Sequence, residues 1–173
     1  MTGLDQRLAE LVGLAAEIRE DMAAAEDLAT RINGVLVSHA GETAPTWEVK
    51  MALALALHNL YSAWEQAFER ILAVYDRTTP SGSDWHRELV RRLGIALPSI
   101  RPAVLTTATA SDLDEFRGFR HVVRHSYAVQ LNWDRLKGLA SRAPGVLAKL
   151  HAELSAFLNF VEEEISDLGK PNR

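Results

Sequence analysis

Residues 112–127, DLDEFRGFRHVVRHSY, form a helical pattern around which the rest of the chain is organised. When they are placed on an α-helix at about 100° per residue, Phe116, Phe119 and Val123 form an apolar strip. The basic side chains spread over the other side without an acid among them: Arg117, Arg120, His121, Arg124 and His125. The pattern predicts a helix that packs along one edge and presents an anion-binding, proton-handling surface along the other.

A charged helix face is often only solvated, but such faces usually mix acids and bases for pairing at i,i+4. No acid lies between Arg117 and Tyr127. Neighbouring guanidinium groups lower the pKa of an imidazole, so we expect His121 and His125 to be mostly neutral and basic. Neutral imidazoles among arginines suit general acid–base chemistry on a phosphate.

Helical periodicity recurs along the rest of the chain, and no segment has the pattern of a strand of useful length. Asn33-Gly34 predicts the end of the first helix, and the segment 94–110, with its prolines and threonines, predicts a loop. The predicted fold is all-α, an antiparallel bundle of about four long helices plus short helices. The predicted helices span residues 4–32, 47–76, 84–93, 112–127, 132–141 and 144–168.

The helix predicted over 47–76 is apolar nearly all round in its first half, which is typical of a central, buried helix. His58 and Glu65 are the polar exceptions on it, and a lone histidine there is more often a satisfied core group than a site. The helix predicted over 4–32 is either a bundle helix or a docking helix for a partner. His86, at the start of the helix predicted over 84–93, belongs either to a solvated surface or to a second wall of a groove.

Bulk composition sets limits on the class of protein. A chain of 173 residues with 47% hydrophobic and 24% charged residues suits one globular domain. Without cysteine there is no thiolate metal site, which fits a reducing cytoplasm, and no secretory signal or membrane span is visible. The net charge of −4 argues against a protein that coats nucleic acid, so any RNA contact should be local.

Residues 120–127, RHVVRHSY, resemble the Arg-x4-His-x-Tyr signature of the HEPN superfamily (higher eukaryotes and prokaryotes nucleotide-binding domains). The closer resemblance is to HepT-like toxins, the ribonuclease half of two-gene modules with a minimal nucleotidyltransferase antitoxin. Further landmarks occur in the same order as in HepT-like sequences, and the resemblance covers residues 46–165. They are YSAWE at 61–65, GSDWH at 82–86 and Arg101-Pro102.

The resemblance implies a single HEPN-like domain over residues 1–173, with the helix over about 4–32 less clearly part of the family core. It implies a cytoplasmic homodimer that cleaves RNA and is neutralised by the antitoxin. Arg120 and His125 would be catalytic, and Tyr127 would be the hydroxyl that the antitoxin nucleotidylates, although a tyrosine packed at the helix end is an equal alternative. Four further residues would support RNA binding: His121, Arg117, Arg124 and His86.

Two alternatives concern the chemistry. His121 and His125 stand at the i,i+4 spacing of a helical metal site, but three nearby arginines repel a divalent cation, so we expect neither a metal nor a cofactor. Metal-free cleavage needs a base, an acid and positive charge, for which His125 and Arg120 are the candidates. The alternative function is a non-catalytic HEPN protein that acts as an interaction and nucleotide-binding partner of a nucleotidyltransferase.

One geometric difficulty remains for a site on a single helix. Arg120 and His125 lie about 140° apart around an ideal helix, which is too far to clasp one phosphate. Either the helix breaks near His125 or the site is composite. The HEPN resemblance implies a composite site, in which two signature helices meet across a twofold axis.

Overall fold

The structure, a computed structural model, describes the backbone of residues 3–125 and 131–170 and the side chains of residues 3–120 and 131–170. Within these ranges the predicted all-α class is confirmed, since the backbone forms helices and loops with one isolated bridge between Leu97 and Arg101. The helices are α1 (Gly3–Ser38), α2 (Trp47–Tyr75), α3 (Trp85–Leu93), α4 (Thr107–His125) and α5 (Trp133–Leu168). None of these described helices combines the length and the apolar character that crossing a membrane requires.

The long helices α1, α2, α4 and α5 run alternately up and down, and α3 packs beside α2 and α4. Ion pairs between neighbouring helices show this order, because residue numbers rise along one helix of each pair as they fall along the other. The pairs are Asp21–Arg70 and Glu10–Arg77 between α1 and the end of α2 with the turn after it, Arg7–Glu164 and Glu26–His151 between α1 and α5, and Asp112–Lys149 and Glu115–Arg142 between α4 and α5.

The interior is built from the apolar stripes of all five helices. On α4, Phe116 is buried as its position on the apolar strip predicts. Its ring packs edge-on against Trp64 of α2, with 5.4 Å between the ring centres. Such edge-to-face contact adds stabilisation beyond burial alone. The contact fixes α4 on α2 one turn before Arg120.

The predicted end of the first helix at Asn33-Gly34 is wrong, because α1 continues to Ser38. Val35 and Leu36, which follow the glycine, pack partly against the core. Their burial offsets the roughly 1 kcal/mol that glycine costs inside a helix.

The predicted break before Pro144 is also wrong, since α5 runs without interruption from Trp133 to Leu168. Proline removes one backbone hydrogen bond from a helix interior. Here Pro144 lies on the exposed side, while Ala143 and Val146 continue the buried stripe across it. Tertiary packing along the stripe therefore outweighs the local penalty.

Helix α4, which carries the start of the Arg-x4-His-x-Tyr signature, begins at Thr107, five residues earlier than predicted. The loop assigned to 94–110 ends at Thr106, whose hydroxyl accepts a hydrogen bond from the Thr109 backbone N–H at 3.3 Å. The Thr109 hydroxyl, which is buried, donates to Glu153 of α5 at 2.8 Å. The threonines that suggested a loop therefore cap the helix and join it to α5.

The expectation that α2 is buried all round in its first half is wrong along one edge. Trp47, Met51 and Leu55 are exposed, with 63%, 37% and 54% of their surface accessible. At about 100° per residue they lie within about 80° of Glu65 around the helix axis. The stripe of Trp47, Met51 and Leu55 is called the α2 apolar stripe below.

Candidate active site

Three helices bring Glu65, His86 and Arg120 together, and these residues are called the Glu65–His86–Arg120 cluster. The Glu65 carboxylate on α2 contacts His86 Nδ1 on α3 and lies 3.1 Å from Arg120 Nε on α4. Arg120 Nη1 lies 2.8 Å from His86 Nε2. The side chains are 4%, 18% and 14% exposed respectively, so the carboxylate is enclosed while the two basic groups reach the surface.

The contacts determine the tautomer of His86. A guanidinium only donates hydrogen bonds, so Arg120 Nη1 donates and His86 Nε2 accepts. A ring that accepts at Nε2 is neutral and carries its proton on Nδ1, which faces the Glu65 carboxylate. This carboxylate–imidazole arrangement fixes the orientation of the His86 ring, and Arg120 occupies the lone pair of Nε2.

The cluster corrects the expected cationic face in one respect. Arg120 is paired with a buried acid from α2, and Arg117 is paired with Asp114 of its own helix at 3.1 Å. The sequence between Arg117 and Tyr127 contains no acid, but a neighbouring helix and the preceding turn supply two. The positive charge of this face is therefore partly compensated, and Arg120 is held in a fixed position.

A fully buried arginine, Arg101, holds α3 in place. The Arg101 side chain has no exposed surface, and its Nε and Nη2 atoms donate to the two Asp76 oxygens at 2.7 and 3.0 Å. It also donates to the backbone carbonyls of Ile95, Pro102 and Arg92. Because Asp76 follows α2 directly and Arg92 lies in the last turn of α3, these bonds tie the end of one helix to the end of the other and so help position His86.

Aromatic side chains surround the cluster. The Tyr61 phenol lies buried one turn before Glu65, and no described residue forms a hydrogen bond with its hydroxyl. Burial raises the pKa of Tyr61 and the Glu65 carboxylate raises it further, while Arg117 and Arg120 oppose these effects. The phenol therefore stays neutral. On the surface side, the Trp85 ring packs on the His86 ring with 3.5 Å between ring centres.

Four predicted site residues have side chains outside the described part of the chain: His121, Arg124, His125 and Tyr127. The backbone of α4 continues without a break to His125. On an unbroken helix, positions 120 and 125 stay about 140° apart. Of the two solutions to that difficulty, a helix break before His125 is therefore not found.

Among the described side chains, no three acids or histidines are placed to hold a metal ion. The structure brings together two predicted site residues, Arg120 and His86, and adds Glu65, which the sequence marked as a polar exception on an apolar helix and as the last residue of the YSAWE landmark. An enclosed carboxylate on such a helix needs a charged or hydrogen-bonding partner, and this was the available signal.

The fold and the cluster define an all-α bundle with an arginine and an oriented histidine at one surface. A sequence model of the family described as "HepT-like protein" matches residues 52–161, which include all three cluster residues. The chain therefore belongs to the HepT-like family of the HEPN superfamily, which is generally a nuclease family. Comparison with curated proteins found no match, and comparison with solved structures found none either.

Proposed function

We propose that this chain is a metal-independent endoribonuclease toxin whose activity centres on Arg120. The observation that carries the proposal is the Glu65–His86–Arg120 cluster, because it holds a guanidinium rigidly beside an oriented neutral imidazole at the protein surface. Guanidinium matches two phosphate oxygens at once, and Nη2 together with the second N–H of Nη1 lies outside the contacts with Glu65 and His86.

In the proposed reaction the 2′-hydroxyl of RNA loses its proton and attacks the adjacent phosphorus, and the bond to the 5′-oxygen breaks. The products are a 2′,3′-cyclic phosphate and a free 5′-hydroxyl. Arg120 stabilises the additional negative charge on the phosphorane. His125 is the general acid or base, by its place in the family signature, and His86 supports the RNA from α3. Arg117, His121 and Arg124 supply further contacts to the RNA backbone.

The proposed enzyme is a homodimer, which resolves the separation of Arg120 and His125 on α4 by combining groups from two copies. The α2 apolar stripe supports this assembly. Its three side chains are exposed although they are large and apolar, and they share a face of α2 with Glu65. A second copy packed there would lie on the side of α2 that carries Glu65, which follows Leu55 by about 15 Å along the helix.

The proposed partner is a minimal nucleotidyltransferase antitoxin that neutralises the toxin by modifying the Tyr127 hydroxyl. We expect the Tyr127→Phe protein to cleave RNA and to resist neutralisation by an ATP-dependent antitoxin, because the acceptor oxygen is absent. The measurement is RNA cleavage after incubation with antitoxin and ATP. Full silencing of Tyr127→Phe would mean that the antitoxin acts by binding alone.

The second candidate is a non-catalytic HEPN protein that binds a nucleotidyltransferase. The pairing of Arg120 with a buried acid favours it, because a guanidinium that is engaged within the fold can also be purely structural.

The two functions differ in RNA cleavage by the purified protein in excess EDTA. We expect wild type to produce cyclic-phosphate ends and His125→Ala to lose roughly 10²–10⁴ of the rate, as expected for one general acid or base. A His39→Ala protein, changed at a histidine paired with Glu42 before α2, is the matched control and should cleave normally. A wild type that leaves RNA intact while binding a nucleotidyltransferase would establish the non-catalytic function, and restoration by Zn²⁺ after EDTA inhibition would disprove metal independence.

A further inference from the structure

An open groove of about 350 Å³ lies beside the Glu65–His86–Arg120 cluster, between α2, the loop before α3 and the start of α3. Its walls are different in chemistry from the cluster itself, since they combine one aromatic ring, one carboxylate and a short polar loop. The lining residues are Glu69, Thr79, Pro80, Ser81, Gly82 and Trp85.

Trp85 provides a rigid aromatic wall. Its ring lines the groove, packs against the His86 ring and is partly buried against the core, so its position is fixed. Flat aromatic rings are the groups on which proteins stack single-stranded bases, because every base presents a π-face. The contact with His86 also joins the groove directly to the cluster.

Glu69 provides a paired hydrogen-bond acceptor. It follows Glu65 by about one helical turn, a rise of about 6 Å along α2. The carboxylate is partly buried, and none of the described residues forms a hydrogen bond or ion pair with it. Burial raises the pKa of Glu69 above its ordinary value, and Arg120 and Arg70 oppose this rise, so Arg120 is close enough to act on the carboxylate.

The two carboxylate oxygens of Glu69 match guanine and not the other three bases. Guanine presents two adjacent donors, N1–H and the 2-amino group, that match the two carboxylate oxygens. Adenine and cytosine place a ring-nitrogen acceptor beside their amino group, and uracil flanks its single N–H with two carbonyls, so each of these bases opposes the carboxylate with a lone pair. The loop side of the groove is open, because no atom lies within 4 Å of the position that a Cβ of Gly82 would occupy.

We propose that this groove binds the guanine base of the nucleotide whose 3′-phosphate is cleaved, with Trp85 stacking on the base and Glu69 accepting from N1–H and the 2-amino group. The inference rests on the proposed ribonuclease function and adds a base preference to it. Arg120 holds the phosphate while Glu69 and Trp85 hold the base.

The test separates base recognition from catalysis by measuring binding and cleavage independently. Calorimetric titration of wild type uses the 3′-monophosphates of guanosine, inosine, adenosine, cytidine and uridine. Inosine differs from guanosine by the 2-amino group alone, so a bond from that group to a carboxylate should make guanosine bind about tenfold or more tightly. Cleavage of RNA strands with a single guanosine or inosine should show the same ratio.

Glu69→Gln should bring the guanosine-to-inosine ratio close to one, and Trp85→Leu should weaken all five nucleotides about tenfold or more while leaving the ratio unchanged. Glu163→Gln, a change at an exposed acid of α5, is the matched control and should keep the wild-type ratio. Circular dichroism establishes that each variant is folded.

The outcomes distinguish this inference from the proposed function. Cleavage without any preference for guanosine, or a preference that survives Glu69→Gln, would overturn the guanine site and leave the ribonuclease standing. Guanosine-selective binding without cleavage would support the site and overturn the ribonuclease. Absence of both nucleotide binding and cleavage would overturn both.

Discussion

Arg101 is paired with Asp76, the residue directly after α2, and Arg120 is paired with Glu65 of α2. The two arginines differ in how much of the guanidinium reaches solvent. Arg101 is fully enclosed, and its guanidinium donates to Asp76 and to three backbone carbonyls. Arg120 is 14% exposed and meets Glu65 and a histidine ring. The first arginine joins parts of the fold, whereas the second presents a fixed positive charge at a surface. Burial of charge therefore marks function only where part of the group still reaches solvent.

The largest effects on stability should come from the Arg101–Asp76 pair. Lysine in place of Arg101 keeps the charge but cannot reach the two Asp76 oxygens and three carbonyls, so we expect Arg101→Lys to lower the free energy of unfolding by about 3 kcal/mol. In a chain of this size the melting temperature should fall by about 6–12 °C. Arg91→Lys, at an exposed arginine paired with Glu88, should change the free energy by less than about 0.5 kcal/mol. Equal stability of the two variants would remove the distinction between Arg101 and a surface arginine.

Substitution of the two partner acids, Asp76 and Glu65, tests the same difference between Arg101 and Arg120. Asp76→Asn leaves the enclosed Arg101 without a counter-charge, so we expect a loss of about 3 kcal/mol or more. Glu65→Gln should cost less, under about 2 kcal/mol, because Arg120 reaches solvent and the glutamine carbonyl still accepts from His86 Nδ1. Urea unfolding at neutral pH measures both. A larger loss for Glu65→Gln would mean that Arg120 is as structural as Arg101.

The α2 apolar stripe tests whether cleavage at the Arg120 site depends on dimerisation. We expect Leu55→Lys to produce monomers at micromolar concentration and to abolish RNA cleavage, with the melting temperature of the chain little changed, because the side chain is 54% exposed. Val12→Lys, at a similarly exposed apolar residue of α1, is the matched control. Analytical ultracentrifugation measures the mass. A Leu55→Lys protein that stays dimeric would place the interface elsewhere, and a wild type that sediments as a 19.2 kDa monomer would remove the composite site.

Local periodicity in the sequence predicted the helical class, α2, α3 and the apolar strip of α4, because each depends on residues a turn or two apart. It failed where tertiary packing overrides a local signal, as at Gly34 and Pro144. The Thr106 cap was missed because threonine in a proline-containing segment fits a loop equally well.

Only part of the candidate site was predicted, because the sequence shows residue types but not how distant helices pack. Arg120 and His86 stood out by residue type and by resemblance to HepT-like sequences. Their contact depends on how three helices pack, and Glu65 gained a role only when α4 placed Arg120 against it. A single sequence records which groups are present but not which of them neutralise each other.

The most direct test of the central claim compares cleavage of single-stranded RNA by wild type and Arg120→Lys in excess EDTA. Lysine keeps the positive charge and loses the planar two-point grip on phosphate. Removing such a group should lower the rate by roughly 10²–10³, while the protein stays folded and cleavage by Arg91→Lys is unchanged. Arg120→Lys that cleaves at the wild-type rate would contradict the role of Arg120, and a wild type that leaves RNA uncut would contradict the ribonuclease itself.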